Sequence, residues 1–134
     1  MRGFKIADFM SRNVVTLRPD TDILYALTTF VDNDISGAPV TDRSGRLCGI
    51  LTERDFMRVA LHGAYHGEPG GRVDEYMTSD VQTVRKGDSL VGLAERFLEQ
   101  PFTRFPVVDA TGRLVGIISR RDVLRALKPR MGQY

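Results

Sequence analysis

The sequence predicts an α+β fold made of two β-α-β-β-α units packed through their small sheets as a pseudo-twofold pair. Three observations carry this reading. The chain matches itself without a gap at an offset of 67 residues. Short apolar runs and helical apolar faces follow one another in the same order in both halves. Each half also places an Asp-x-x-Gly turn between two apolar runs, the pattern of a β-hairpin.

The internal match is long. Met10 meets Met77, Thr16 meets Thr83 and Arg18 meets Arg85. Pro39-Val40 meets Pro106-Val107, Gly45-Arg46-Leu47 meets Gly112-Arg113-Leu114, and Gly49-Ile50 meets Gly116-Ile117. Arg54-Asp55 meets Arg121-Asp122, and Arg58 meets Arg125. Convergence at so many matched offsets is not credible, so the halves are one unit duplicated. The expected repeats are residues 6–61 and 74–128. The stretch between them, 62–73, carries four glycines and a proline and reads as a flexible linker.

Each element has its own signal. Val14–Leu17 and Val81–Val84 suit a short first strand. Asp20 or Thr21, and Asp88 in the second half, can cap the helix that follows. Ile23, Leu24, Leu27, Phe30 and Val31 share one helical face, repeated by Leu90, Val91, Ala94, Phe97 and Leu98. Asp42-Arg43-Ser44-Gly45 and Asp109-Ala110-Thr111-Gly112 supply the hairpin turns. A last amphipathic helix turns Phe56, Met57 and Ala60 inward, matched by Val123, Leu124 and Leu127. Neither half closes a generous core alone, which favours packing the two small sheets together with helices outside.

The second hairpin strand runs into a seven-residue frame, GILTERD at 49–55 and GIISRRD at 116–122. Thr52 and Ser119 stand at a helix N-cap, with Asp55 and Asp122 three residues on, the spacing of a capping box. As a structural device, the box satisfies backbone N–H groups left open at the helix start. As a binding device, the same helix start presents N–H groups and partial positive charge to a phosphate. A hydroxyl adds a phosphate contact, and an acceptor-only carboxylate suits the two hydroxyls of a ribose. Arg54, Arg120 and Arg121 fall in the first helical turn, where cations disfavour a bare helix but would serve a bound anion. The plainer role for these arginines is solvated surface, with Arg58 or Arg125 pairing the Asp of its own helix.

The Pro-Val start of the hairpin, the Asp-x-x-Gly-Arg-Leu turn and Gly-x-x-Thr/Ser-x-x-Asp, each present twice in order, resemble the cystathionine-β-synthase (CBS) domain over roughly residues 6–128. The pair resembles the tandem CBS module. That resemblance implies adenosine-ligand sites between the repeats. One would combine Thr16, Ile35 and Ser36 with Ser119, Arg120, Arg121 and Asp122. The other would combine Thr52, Arg54 and Asp55 with Thr83, Phe102 and Thr103. It also implies a homodimer, and an adenine nucleotide (AMP, ADP or ATP) as regulatory ligand rather than catalytic cofactor. Because Ser119 is followed by Arg120-Arg121 and Thr52 by Glu53-Arg54, the Ser119 site is expected to prefer more phosphates.

Other chemistry finds little support. There is no Walker loop and no dinucleotide glycine fingerprint, and no hydroxyl shows a paired base, so no enzyme is expected. Cys48, the single cysteine, reads as a small buried hydrophobe. His62 and His66, with Glu68 nearby, lie in the expected linker, and no metal site is assigned there. The net charge of +2 does not point to nucleic acid, although sixteen of the nineteen basic residues are Arg, a bias that a GC-rich genome also produces. The apolar runs are too short to span a membrane, and MRGFKIADFM lacks a signal-peptide core. The expected location is the cytoplasm. The resulting expectation is a ligand-sensing module that signals to an unknown partner protein. The alternative is a scaffold dimer whose clefts stay empty.

Overall fold

The computed structural model describes residues 2–129. In chain order the elements are α1 (Ile23–Asn33), β1 (Gly37–Thr41), β2 (Leu47–Thr52), α2 (Glu53–His66), α3 (Val73–Tyr76), α4 (Leu90–Glu99), β3 (Arg104–Val108), β4 (Leu114–Ser119) and α5 (Arg120–Leu127). A single 3-10 turn at Ile6–Asp8 precedes them. β1 pairs antiparallel with β2, and β3 with β4, giving two small antiparallel sheets in a mixed α+β protein.

The chain forms two compact units. One is Val15–Val81; the other joins residues 2–14 with residues 82–129. The opening segment of each sequence repeat, together with Val73 just before the second, therefore folds with the other repeat's elements. Ile6 and Val73 are fully buried in the cores they join. In the Val15–Val81 unit, Ile23, Ala26 and Phe30 of α1 pack on Ala38, Val40 and Leu51 of the hairpin and on Phe56 and Val59 of α2. Phe30 and Phe56 meet edge to face at 4.8 Å. In the other unit Leu90 and Leu93 of α4, Phe105, Val107 and Ile118 of the hairpin, and Val123 of α5 do the same work.

The turns form as the sequence predicts. The Asp42 carboxylate accepts from the backbone N–H groups of Ser44 (2.9 Å) and Arg46 (3.0 Å) and from the Ser44 hydroxyl (2.7 Å). Asp109 accepts from Thr111 and Arg113 in the same way. Gly45 and Gly112 close these turns at φ of +85° and +84°, a region that favours glycine.

Four expectations need correction. The first strand of each unit shrinks to one parallel bridge, Leu17 to Val40 and Val84 to Val107. Immediately afterwards the chain turns away through Arg18–Thr21 or Arg85–Asp88. The helix caps are Asp22, not Asp20 or Thr21, and Ser89, not Asp88. Thr21 and Asp88 instead accept from the Arg18 and Arg85 N–H groups inside those turns. Residues 62–66 are not linker but the last part of α2. Finally, Leu24, Leu27, Val31, Met57, Ala60, Val91, Leu98, Leu124 and Leu127 are exposed. A two-stranded hairpin is narrow and covers only one stripe of each helix.

Glycines 49 and 116 hold the incoming segments. Ile50 and Thr78 exchange two backbone hydrogen bonds (2.9 and 3.0 Å), as do Ser11 and Ile117 (both 2.9 Å). A Cβ on Gly49 would stand 2.6 Å from Met77 Sδ and 2.8 Å from the Thr78 carbonyl oxygen. One on Gly116 would stand 2.7 Å from the Ser11 carbonyl oxygen. Gly49→Ala and Gly116→Ala should each cost about 1–3 kcal/mol of stability in urea denaturation, with exchange protection lost first at Thr78 or Ser11.

The turn carboxylates add a pH signature. The Thr111 hydroxyl, and then the Thr111 and Arg113 N–H groups, hold the Asp109 carboxyl below its ordinary value. Ser44 and Arg46 do the same for Asp42. A carboxylate depressed in the folded state stabilises above its unfolded pKa and loses that contribution as pH falls through the folded one. Asp109→Asn should therefore lower the Tm at pH 7, and the deficit should shrink as melts are repeated below the usual carboxylate range.

Candidate functional site

Each frame delivers its hydroxyl residue and its Asp to the same place: the end of a hairpin strand and the first turn of the helix that follows. In the Val15–Val81 unit, Asp55 Oδ2 accepts the Thr52 N–H at 2.7 Å and the Thr52 hydroxyl at 3.2 Å. In the other unit Asp122 Oδ2 accepts the Ser119 N–H at 2.8 Å and the Ser119 hydroxyl at 3.1 Å, and Ser119 Oγ accepts the Asp122 N–H at 3.3 Å. The second carboxylate oxygen of each Asp takes an arginine three residues on, Arg58 and Arg125. The sequence signal for a capping box paired with its own helix's arginine is thus realised twice.

The arginines do more than neutralise. Arg58 also donates to the Tyr76 carbonyl, and Arg125 to the Phe9 carbonyl at 2.9 Å. Those carbonyls immediately precede the Met-Thr and Met-Ser pairs that lie against Gly49 and Gly116. Both ends of each frame therefore fasten the same incoming segment, the glycine by letting it approach and the Asp–Arg pair by gripping its carbonyl. Sequence reasoning found the Asp–Arg pairs but missed this fastening. The available signal was a glycine fixed inside a strand pattern, which marks a close backbone approach.

The remaining predicted residues fall as follows. Thr16, Ile35 and Ser36 belong to the same unit as Thr52, Arg54 and Asp55, whereas Thr83, Phe102 and Thr103 share a unit with Ser119, Arg120, Arg121 and Asp122. Within each unit the residues before the hairpin proline meet the helix start: the Glu53 N–H donates to the Ser36 carbonyl, and the Arg120 N–H to the Thr103 carbonyl, both at 3.0 Å. Arg120 Nε also donates to the Phe102 carbonyl at 3.2 Å, which ties that guanidinium to the pre-proline turn. Arg54 and Arg121 stand at exposed positions and have no partner among the described residues. Thr83 is braced by Arg96, which donates to its carbonyl at 2.9 Å and to Gln82 while lying over the Phe105 ring at 4.5 Å. Nothing in the sequence flagged Arg96, and its counterpart at the 67-residue offset is Thr29.

Asp55 is buried and Asp122 nearly so. A carboxylate has about four acceptor sites. In each frame three are used: the capped N–H, the hydroxyl and the arginine. Re-aiming the Thr52 or Ser119 hydroxyl would leave two acceptor sites on the carboxylate and a hydroxyl donor free for another group. That is the chemistry required by a vicinal diol next to a phosphate.

Among the described residues, no group of three metal-ligating side chains is present, and no helix is long and apolar enough to cross a membrane. Cys48 is half-buried, and burial, followed by the Asp42 charge, pushes its thiol above the ordinary value. It is a weak nucleophile.

Two hairpin-and-helix repeats with a capped frame in each define a tandem domain-pair protein. The CBS domain model matches residues 6–62 and 73–129, and the chain belongs to that family, with two CBS domains in tandem. Uncharacterized protein MJ1225 of Methanocaldococcus jannaschii is 35% identical over 122 residues, 91% of this chain and 42% of that protein. The crystal structure of CBSX2, a protein of Arabidopsis thaliana, in complex with AMP aligns with a TM-score of 0.82 and 32% identity, covering 93% of this chain and 96% of that one. The CBS domain pair of protein MJ0100, crystallised with 5′-methylthioadenosine and S-adenosyl-L-methionine, aligns at 0.78 and 26% identity, covering 93% and 100%. The chain spans less than half of MJ1225 and 63% of full-length chloroplastic CBSX2.

Proposed function

We propose that this protein is a non-catalytic regulatory module that binds adenosine-containing ligands through its two frames. The observation that carries the reading is the duplicated hydroxyl–Asp pair at a helix start, with a carboxylate one rearrangement away from receiving a ribose diol. The complexes of CBSX2 with AMP and of the MJ0100 pair with two adenosine derivatives support it. In the free protein the Thr52 or Ser119 hydroxyl is parked on its Asp. Binding turns that hydroxyl to the phosphate and gives the freed carboxylate sites to the ribose, while the helix N-terminus meets the anion. Signalling requires a partner protein and a ligand whose affinity differs between two arrangements of the chain.

A thermal-shift panel of AMP, ADP, ATP, NAD, GTP and S-adenosylmethionine tests the reading. At a hundred times Kd a ligand adds about 2.7 kcal/mol, a shift of several degrees for a protein of this size. No shift with any adenosine ligand would leave the scaffold alternative standing, and turnover of the ligand would make the protein an enzyme. Asp55→Asn and Asp122→Asn, which keep an acceptor for the cap, should each weaken one of two sites by about tenfold to a hundredfold in calorimetry. Thr52→Ala and Ser119→Ala should weaken AMP but leave adenosine binding unchanged. The site that retains binding when Asp55 is changed, with Arg120 and Arg121 beside it, should favour ATP over AMP more than the other does. Equal preferences would remove the proposed difference.

The protein acts as a homodimer on this reading. Met57, Leu61 and Tyr65 form an exposed stripe along α2, and Leu24, Leu27 and Val31 another along α1. Sedimentation analysis should show a dimer that Leu61→Lys weakens; a monomer at every concentration would sink the assignment.

A further inference from the structure

We propose that His62 and His66 form a two-histidine clamp for a divalent transition-metal ion, separate from the nucleotide frames. α2 extends past the point where the sequence suggested a linker and carries both histidines in its C-terminal part. A spacing of four residues sets them one above the other on one helix face. This is the arrangement by which paired helical histidines hold zinc. Their ring centroids are 4.5 Å apart with the planes tilted by 37°, so modest side-chain rotation aims one nitrogen of each at a shared point.

Neither imidazole is committed elsewhere. Both are exposed, neither belongs to a core, and apart from each other they have no partner among the described residues. The charged neighbours leave room for a cation. Arg58, one turn before His62, is drawn away by Asp55 and the Tyr76 carbonyl, while Glu68 follows two residues after His66. The carboxyl end of a helix carries partial negative charge, which favours a cation there. Imidazole donors select Zn²⁺, Ni²⁺ or Cu²⁺ over Mg²⁺, which takes oxygen ligands. Two protein ligands leave the other coordination positions to water or to a donor from a second molecule. The second repeat has no such pair in its sequence: at the 67-residue offset Pro129 and Gln133 stand where the first repeat has its two histidines.

The test uses untagged full-length protein with ZnCl₂ or NiCl₂ as probe and MgCl₂ as control. Wild type should show a saturable rise in Tm with Zn²⁺ and Ni²⁺ but not Mg²⁺, and retention on immobilised Ni²⁺. Either His62→Ala or His66→Ala should abolish both effects, because one imidazole does not chelate. No saturable shift in wild type would overturn the proposal, as would a shift that survives in either single variant, since the ion would then be held elsewhere. AMP binding should be unchanged in both variants.

Discussion

The structure depends on the contact between two bare strand positions and the chain that crosses them. Gly49 and Gly116 admit the backbone of Met77-Thr78 and Met10-Ser11 to within a distance that any side chain would forbid. That approach allows a pair of backbone hydrogen bonds on each side and lets Val73 and Ile6 reach the cores beneath. Without it, each hairpin would keep a bare edge and each core would lose a fully buried aliphatic residue. The exchange of leading segments also means that neither sequence repeat supplies a complete compact unit by itself.

The Asp–Arg pair at the far end of each frame fastens the same segment. Asp55 closes the start of α2 and orients Arg58, which takes the Tyr76 carbonyl; Asp122 and Arg125 repeat this for Phe9. One carboxylate thus serves a helix cap and a tertiary tie. A substitution that deletes it removes both, and loss of binding in an Asp→Ala variant would not by itself separate grip from scaffold. The Thr52 hydroxyl carries less structural responsibility, because the backbone N–H beside it makes the shorter bond to the same oxygen, whereas the Ser119 hydroxyl also accepts the Asp122 N–H and so caps α5.

The two units are similar without being equivalent. Arg96 braces the Thr83 carbonyl and covers Phe105, while the corresponding position in the other unit is Thr29. Arg120 is anchored to the Phe102 carbonyl, and Glu53 stands at the matching place in α2. α2 also runs on for six residues beyond the length of α5. Duplication set the common frame; later divergence placed different charges around each copy.

By itself the sequence determined the duplication, the α+β class, the hairpins with their Asp-x-x-Gly turns, and the hydroxyl–Asp spacing at each helix start. These features are local: a turn, a cap and a helical face are decided by residues a few positions apart, and the 67-residue offset doubled every such signal. It placed the caps of α1 and α4 one or two residues early, because Asp20, Thr21 and Asp88 are competent caps, and the preceding turns use Thr21 and Asp88 instead. It also overcounted the core, since periodicity marks an apolar face without saying how wide the facing sheet will be. Only the tertiary structure decided which segment crosses which hairpin, which carbonyls Arg58 and Arg125 would find, and that His62 and His66 would lie on a helix. Those outcomes depend on contacts between residues far apart in the chain, which leave no mark in any short window of sequence.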